Sequence, residues 1–320
     1  MKTKPIILIA GEPNSIFFEI FFKAIKSKLY RSPLILICCK KILLHQMKKN
    51  RFKKKLNVLE LEKLKKYNLD NSNLNLIDIR CKKLNKSFTT RLTNQYLENS
   101  FKLALKLMDK KFSNKLINGP INKKSFLNKK YLGITEYISA KYKSKKTAML
   151  IYNKKLSVCP VTTHLPIKLV TKNITKKLIE EKIHIIHSFY KEKLNYKPKI
   201  AVTGMNPHCE SISKFNEDEK IVSKAVISQK KGGIYVSGPY PADTIFLKKN
   251  RDKFNVILGM YHDQVLAPIK TLCEFDAINI TMGLPFLRIT PDHGPNEKML
   301  GKNMSNPISL INALNFLDKH

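Results

Sequence analysis

The chain has 320 residues, 43% of them apolar, and sets 60 Lys and Arg against 24 Asp and Glu for a formal charge of +36. That length holds one large core or two ordinary ones, and no stretch approaches the ~20 apolar residues that span a bilayer, so no membrane is expected as a partner. The charge invites a nucleic-acid reading, but only six of the basic residues are Arg (Arg31, Arg51, Arg80, Arg91, Arg251, Arg288), the type that phosphate and base recognition favours; the Lys excess reads as a solvated surface, and no nucleic-acid partner is expected.

Ile6 to Ala10 reads as a buried strand, followed by the turn Gly11-Glu12-Pro13 and a helical run from Ser15 onward. Leu34 to Cys38 reads as a second strand. The stretch from Lys40 to Lys86 is rich in Lys and Asn with weak periodicity and reads as surface helices and loops. Residues 95–110 carry apolar side chains at helical spacing, and Lys115 to Asn118 leads into the turn Gly119-Pro120. Strands are expected at Thr147 to Tyr152 and Ser157 to Thr162, a helix from Thr175 to Leu194, and strands at Lys199 to Thr203 and Val256 to Met260. Short apolar runs alternating with longer amphipathic ones predict an α/β protein. Six cysteines (Cys38, Cys39, Cys81, Cys159, Cys209, Cys273) show no C-x-x-C spacing, which predicts reduced thiols in a cytoplasmic protein. Glu12 and Glu19 interrupt the first apolar run, so no secretory leader is expected.

The chemistry is concentrated in turns that follow apolar strands, where open α/β sheets place their ligands. His164 lies in VTTHLP, His208 in GMNPHCE, His262 in GMYHDQ and His293 in PDHG; His45 is less clearly placed. A single core histidine is usually structural. Three that follow apolar strands in similar turns point instead to a zinc or other divalent site with an open coordination position. A second cluster holds Lys270, Asn279 and Arg288. In a chain that uses Lys for nine of every ten basic residues, an Arg next to a Pro-Asp-His-Gly turn implies either a bidentate contact with phosphate or carboxylate or a buried structural ion pair. No G-x-G-x-x-G, P-loop or G-x-S-x-G is present, so any nicotinamide is bound by other means.

The segments GEPNSIFFE, NGPINKKSF, GITEY, VTTHLPIKLV, GMNPHCE, SGPYPADTIF, GMYHDQVLAPIK and NITMGLPFLRITPDHG stand in the order, and at about the separations, of the 4-hydroxythreonine-4-phosphate dehydrogenases. From Gly11 to Gly294 the chain resembles that family. The resemblance implies an isocitrate/isopropylmalate dehydrogenase-like fold of two α/β/α lobes with a cleft, residues 1–125 plus 295–320 and residues 126–294, in a homodimer with its active site at the interface. It implies NAD or NADP as cofactor and one divalent metal (zinc, magnesium or cobalt) on His164, His208 and His262. Substrate contacts map onto Thr135, Ile134, Lys270, Asn279 and Arg288, catalytic roles onto Lys270, Asp263 and Asp243, and cofactor contacts onto Asp292, His293 and Gly294. The activity implied is oxidation and decarboxylation of 4-phosphooxy-L-threonine to 3-amino-2-oxopropyl phosphate in vitamin B6 synthesis. A sister activity on another four-carbon phosphate, 4-phosphoerythronate or phosphothreonate, stays open. The sequence departs from the family pattern at Asn14, Ser15, Phe17 and Phe18, where small residues are usual, at Ile134, where a histidine is usual, and at Pro295-Asn296 in place of Thr-Ala.

Overall fold

Runs of Ile, Leu and Val that do not alternate with polar residues need cover on both faces, which a parallel sheet flanked by helices provides. The computed structural model describes residues 3–81, 89–127, 131, 133–142, 146–212, 215–291, 294 and 296–320. It builds such sheets into two compact units, Met1–Ile134 with Pro285–His320 and Thr135–Leu284.

In the first unit the strands β1 (Ile6–Ile9), β2 (Leu34–Cys38), β3 (Leu56–Val58), β4 (Leu74–Asp78) and β5 (Lys115–Asn118) are joined by a late strand, numbered β12 in chain order (Leu287–Pro291). They run parallel in the order β3-β4-β2-β1-β5-β12. The helix Thr90–Asp109 packs on β1 and β2, and the helix Ile308–Lys319 packs on β1 and β12. Thr89 caps the former by accepting from the Leu92 amide.

Phe17 and Phe18, two of the departures from the family pattern, are core residues. Both are buried in the helix Phe17–Ser27, and Phe17 stacks on Phe21 at 5.8 Å and 8°. Chain order reverses between β1 and β5, so the turns after these strands meet: the Glu12 amide donates to the Pro120 carbonyl at 2.9 Å, and the Asn122 amide donates to Glu12 Oε1 at 3.0 Å. Gly119 is what permits the approach, because a β-carbon there would overlap the Ala10 carbonyl oxygen and stand 2.7 Å from the Phe17 ring. Gly119→Ala is expected to cost about 1–3 kcal/mol through overpacking. An unchanged midpoint in urea unfolding would show that the two turns separate freely.

The second unit contains β6 (Ala148–Tyr152), β7 (Ser157–Thr162), β8 (Ile200–Thr203), β9 (Val236–Tyr240), β10 (Val256–Tyr261) and β11 (Ile278–Met282). Their order is β11-β6-β7-β10-β8-β9. β6 is antiparallel to both neighbours, whereas β7, β10, β8 and β9 run parallel, so their carboxyl ends share one edge. The expected strands and the helices at 95–110 and 175–194 are present; the latter is α-helical over Lys176–Phe189 and closes in a π-helical turn, Tyr190–Leu194.

The stretch read as surface helices and loops contains the helix Lys40–Lys49 but also β3 and the buried β4. Asn75 hid β4 by breaking its apolar run; the side chain is 1% exposed, and its amide donates to the carbonyls of Leu34 and Asp70, which removes the cost of burying it. Residues 82–88 of that stretch lie outside the described residues. Among the described residues no helix is long and apolar enough to cross a membrane.

Candidate functional site

Register puts the three sequence-selected histidines at one edge of the second unit. β10 lies between β7 and β8, with Tyr261 opposite Thr162 and Leu258 opposite Val202. His164 follows the end of β7, His262 directly follows β10 as the first residue of the helix His262–Cys273, and His208 lies in the short turn Pro207–Cys209 after β8. The His164 and His262 rings stand 5.9 Å apart at 38°. Nitrogen-to-metal lengths of about 2.0–2.1 Å put two imidazoles on one ion at a ring separation of roughly 5–6 Å, so the pair suits two ligands of a divalent site.

His262 Nδ1 and Asp263 Oδ1 stand 2.6 Å apart; with the carboxylate as acceptor, Nδ1–H is the donor and Nε2 is the ring nitrogen left for another partner. His164 Nδ1 lies 3.7 Å from Glu136 Oε1, which also accepts from Thr163 Oγ1 at 3.2 Å. Burial works to raise the Glu136 pKa, but the His164 imidazole, a backbone amide and the Thr163 hydroxyl together outweigh it and leave the carboxyl below its usual value.

His208 is exposed and adopts a left-handed conformation at φ 55°. Its turn is held by Asp218, 1% exposed, which accepts from the amides of Met205 at 2.5 Å and Asn206 at 2.9 Å. Among the described residues no group of three or more His, Cys, Asp or Glu side chains is close enough to hold an ion. The structure therefore brings His164 and His262 together and keeps His208 on the neighbouring turn.

Asp243 follows β9 on the same edge and is exposed. Its charge reaches the turn that carries His208: burial first, then Asp218 and more weakly Asp243 and Glu210, push the Cys209 thiol up to about 11. Gln264, which sequence reasoning passed over, ties this edge together. Its Oε1 accepts from Thr203 Oγ1 and the Met260 amide, each at 2.7 Å, and its Nε2 donates to the Gly204 carbonyl at 2.8 Å. Glu136 was passed over as well, although it directly follows the selected Thr135.

The second cluster divides between the two units. Lys270 is exposed on the helix His262–Cys273. Asn279 lies on β11, and its Oδ1 is buried with no hydrogen-bond partner among the described residues. The hydroxyls of Thr135 and Thr281 share a hydrogen bond at 3.3 Å. Ile134, 6% exposed, opens the helix Ile134–Lys141. In the first unit Arg288, 3% exposed on β12, donates from Nε to Asn118 Oδ1 at 2.9 Å. Asn118 was not selected from the sequence. Asp292 and His293 lie outside the described residues, and Gly294 is exposed.

A profile described as pyridoxal phosphate biosynthetic protein PdxA matches residues 30–317. A 4-hydroxythreonine-4-phosphate dehydrogenase of Sulfurihydrogenibium sp. (strain YO3AOP1) is 36% identical over 317 residues, 97% of this chain and 96% of that protein. Among solved structures, a 4-hydroxythreonine-4-phosphate dehydrogenase from Klebsiella pneumoniae superposes with a TM-score of 0.82 at 25% identity, covering 98% of each chain. An isocitrate dehydrogenase from Methylococcus capsulatus, at 12% identity and a TM-score of 0.50 over 99% of this chain and 86% of that one, shares the fold alone. Matches that run nearly end to end, over a sheet whose carboxyl edge carries the paired histidines, lead to one conclusion: the chain belongs to the family of the pyridoxal phosphate biosynthetic protein PdxA.

Proposed function

We propose that this chain oxidises the C3 hydroxyl of 4-phosphooxy-L-threonine with NAD or NADP and decarboxylates the product to 3-amino-2-oxopropyl phosphate, on the route to pyridoxal 5'-phosphate. In this reading it works as a cytoplasmic homodimer with one divalent ion, zinc, magnesium or cobalt, at each active site. The observation that carries the reading is the His164–His262 pair, 5.9 Å apart at the carboxyl edge of adjacent parallel strands.

His164 and His262, joined by His208, hold the ion in this reading. When bound, the ion supplies positive charge where oxygen charge develops, both in hydride loss and in loss of carbon dioxide. In this reading Asp263, 2.6 Å from His262 Nδ1, accepts from Nδ1–H and leaves Nε2 for the ion. Lys270 and Arg288 neutralise the phosphate and carboxylate of the substrate, and Asn279 and Thr135 orient it through hydrogen bonds. Lys270, Asp263 and Asp243 are the groups assigned to proton movement. Asp292, His293 and Gly294 are the assigned cofactor contacts.

The test is nicotinamide reduction with 4-phosphooxy-L-threonine, after chelation and then with zinc, magnesium or cobalt restored. Reduction is expected only with an ion present. A folded protein that reduces neither NAD nor NADP with any of the three ions would sink the proposal.

Ile134 favours a second reading, because a buried isoleucine offers a substrate no hydrogen bond. Restoring the imidazole with Ile134→His is expected to lower KM for 4-phosphooxy-L-threonine about tenfold, the ~1.4 kcal/mol of one hydrogen bond, with kcat little changed. If KM does not fall, while the parent turns over 4-phosphoerythronate or phosphothreonate efficiently, the sister activity replaces the one proposed.

A further inference from the structure

Among the buried polar atoms of the second unit that have no hydrogen-bond partner among the described residues, two are neighbours and chemical complements: His164 Nδ1 and Glu136 Oε2. The other oxygen of the same carboxylate, Oε1, is 3.7 Å from that Nδ1, within ion-pair range but beyond a hydrogen bond. Thr163, the residue before His164, donates its hydroxyl to Oε1 at 3.2 Å and so tethers the carboxylate beside the imidazole. A buried ring nitrogen and a buried carboxylate oxygen that both lack partners each cost desolvation free energy, and a small side-chain rotation that joins them removes both costs. The neighbouring histidine already has such a joint, with Asp263 Oδ1 on His262 Nδ1 at 2.6 Å.

We propose that Glu136 is the positioning residue of His164: its carboxylate accepts a hydrogen bond from Nδ1–H, fixes that tautomer and directs Nε2 towards the space shared with His262. The edge then carries two matched carboxylate–imidazole pairs, Glu136–His164 and Asp263–His262, built from opposite directions. Asp263 follows its histidine in the first turn of the same helix, whereas Glu136 reaches His164 from the separate helix Ile134–Lys141. Pairs of this kind orient the ring and raise the basicity of the outward nitrogen, and losing the carboxylate typically lowers metal affinity about 10- to 100-fold. The helix Ile134–Lys141 thereby sets ligand geometry as well as contacting substrate, through consecutive residues: Glu136 towards the imidazole and Thr135 towards the substrate. The metal-ligand role of His164 rests on the reading under Proposed function; the tautomer does not.

The experiment uses the full chain and its variants Glu136→Gln, Glu136→Ala and, as control, His164→Ala. Long-range nitrogen-15 spectra of the metal-free protein report the His164 tautomer, identified by its loss in the control. The parent is expected to show Nδ1–H; Glu136→Gln, whose amide oxygen still accepts, is expected to keep it; Glu136→Ala is expected to lose it. Zinc competition against a chromogenic chelator is expected to show affinity falling about 10- to 100-fold in Glu136→Ala and by less in Glu136→Gln. An Nε2–H tautomer in the parent, or a tautomer unmoved in a folded Glu136→Ala protein, overturns the positioning role. A parent with the expected tautomer but no zinc, cobalt or magnesium affinity leaves the Glu136 role standing and overturns the metal reading instead.

Discussion

His262→Ala is expected to lower kcat about a thousandfold, a loss of roughly 4 kcal/mol of transition-state stabilisation. The residue stands where β10 ends and a helix starts, so its backbone is held by strand pairing on one side and by helix geometry on the other. Asp263 Oδ1 stands 2.6 Å from its Nδ1, and its ring lies 5.9 Å from that of His164. Alanine removes the ring and leaves these supports in place, so a change in activity reports on the imidazole rather than on folding. Steady-state turnover with excess zinc or cobalt, together with metal content measured by mass spectrometry, checks the result. The expected outcome is loss of both with an unchanged thermal midpoint. Retention of bound metal and of turnover within about tenfold would remove His262 from the site.

Arg288→Lys carries the second large effect despite its conservative look. The guanidinium is 3% exposed and directs Nε to Asn118 Oδ1 at 2.9 Å. Lysine keeps the charge but has a single nitrogen, so it cannot bond Asn118 and also present paired donors to an anion. Asn118 is itself 3% exposed, and an unsatisfied Oδ1 there costs about 1–3 kcal/mol. With the paired donors lost as well, kcat/KM is expected to fall about a hundredfold, or ~2.7 kcal/mol. A stopped-assay comparison at several substrate concentrations separates the roles. A higher KM with unchanged kcat marks anion binding, whereas a lower melting temperature with unchanged kinetics marks a purely structural arginine.

The central strands were legible because each is a run of Ile, Leu and Val short enough to be one buried segment and bounded by turn residues, as at Ile6–Ile9 and Val256–Tyr261. β9, β11 and β12 escaped for a local reason: Ser237 and Gly238 in β9, Asn279 and Thr281 in β11, and Arg288 and Thr290 in β12 dilute the apolar signal. Two of these polar residues, Asn279 and Arg288, were instead noticed as candidate ligand contacts. In a fully apolar run they would have had no chemistry to offer.

The sequence by itself determined the α/β class, the turns after β7, β8 and β10 as the places for imidazoles, and Arg288 as a residue that stands out in a Lys-rich chain. These follow from patterns a few residues long, in which hydrophobic runs set burial and the next polar residue sits at the strand end. Only the tertiary structure decided which of these groups meet. β10 runs between β7 and β8 although it follows both in the chain, which places His262 beside His164. Glu136 comes to His164 from 28 residues earlier, and Asn118 to Arg288 from 170. No spacing rule covers such separations, because strand order and register select the partners, and those are settled by how helices and sheet bury their apolar faces together.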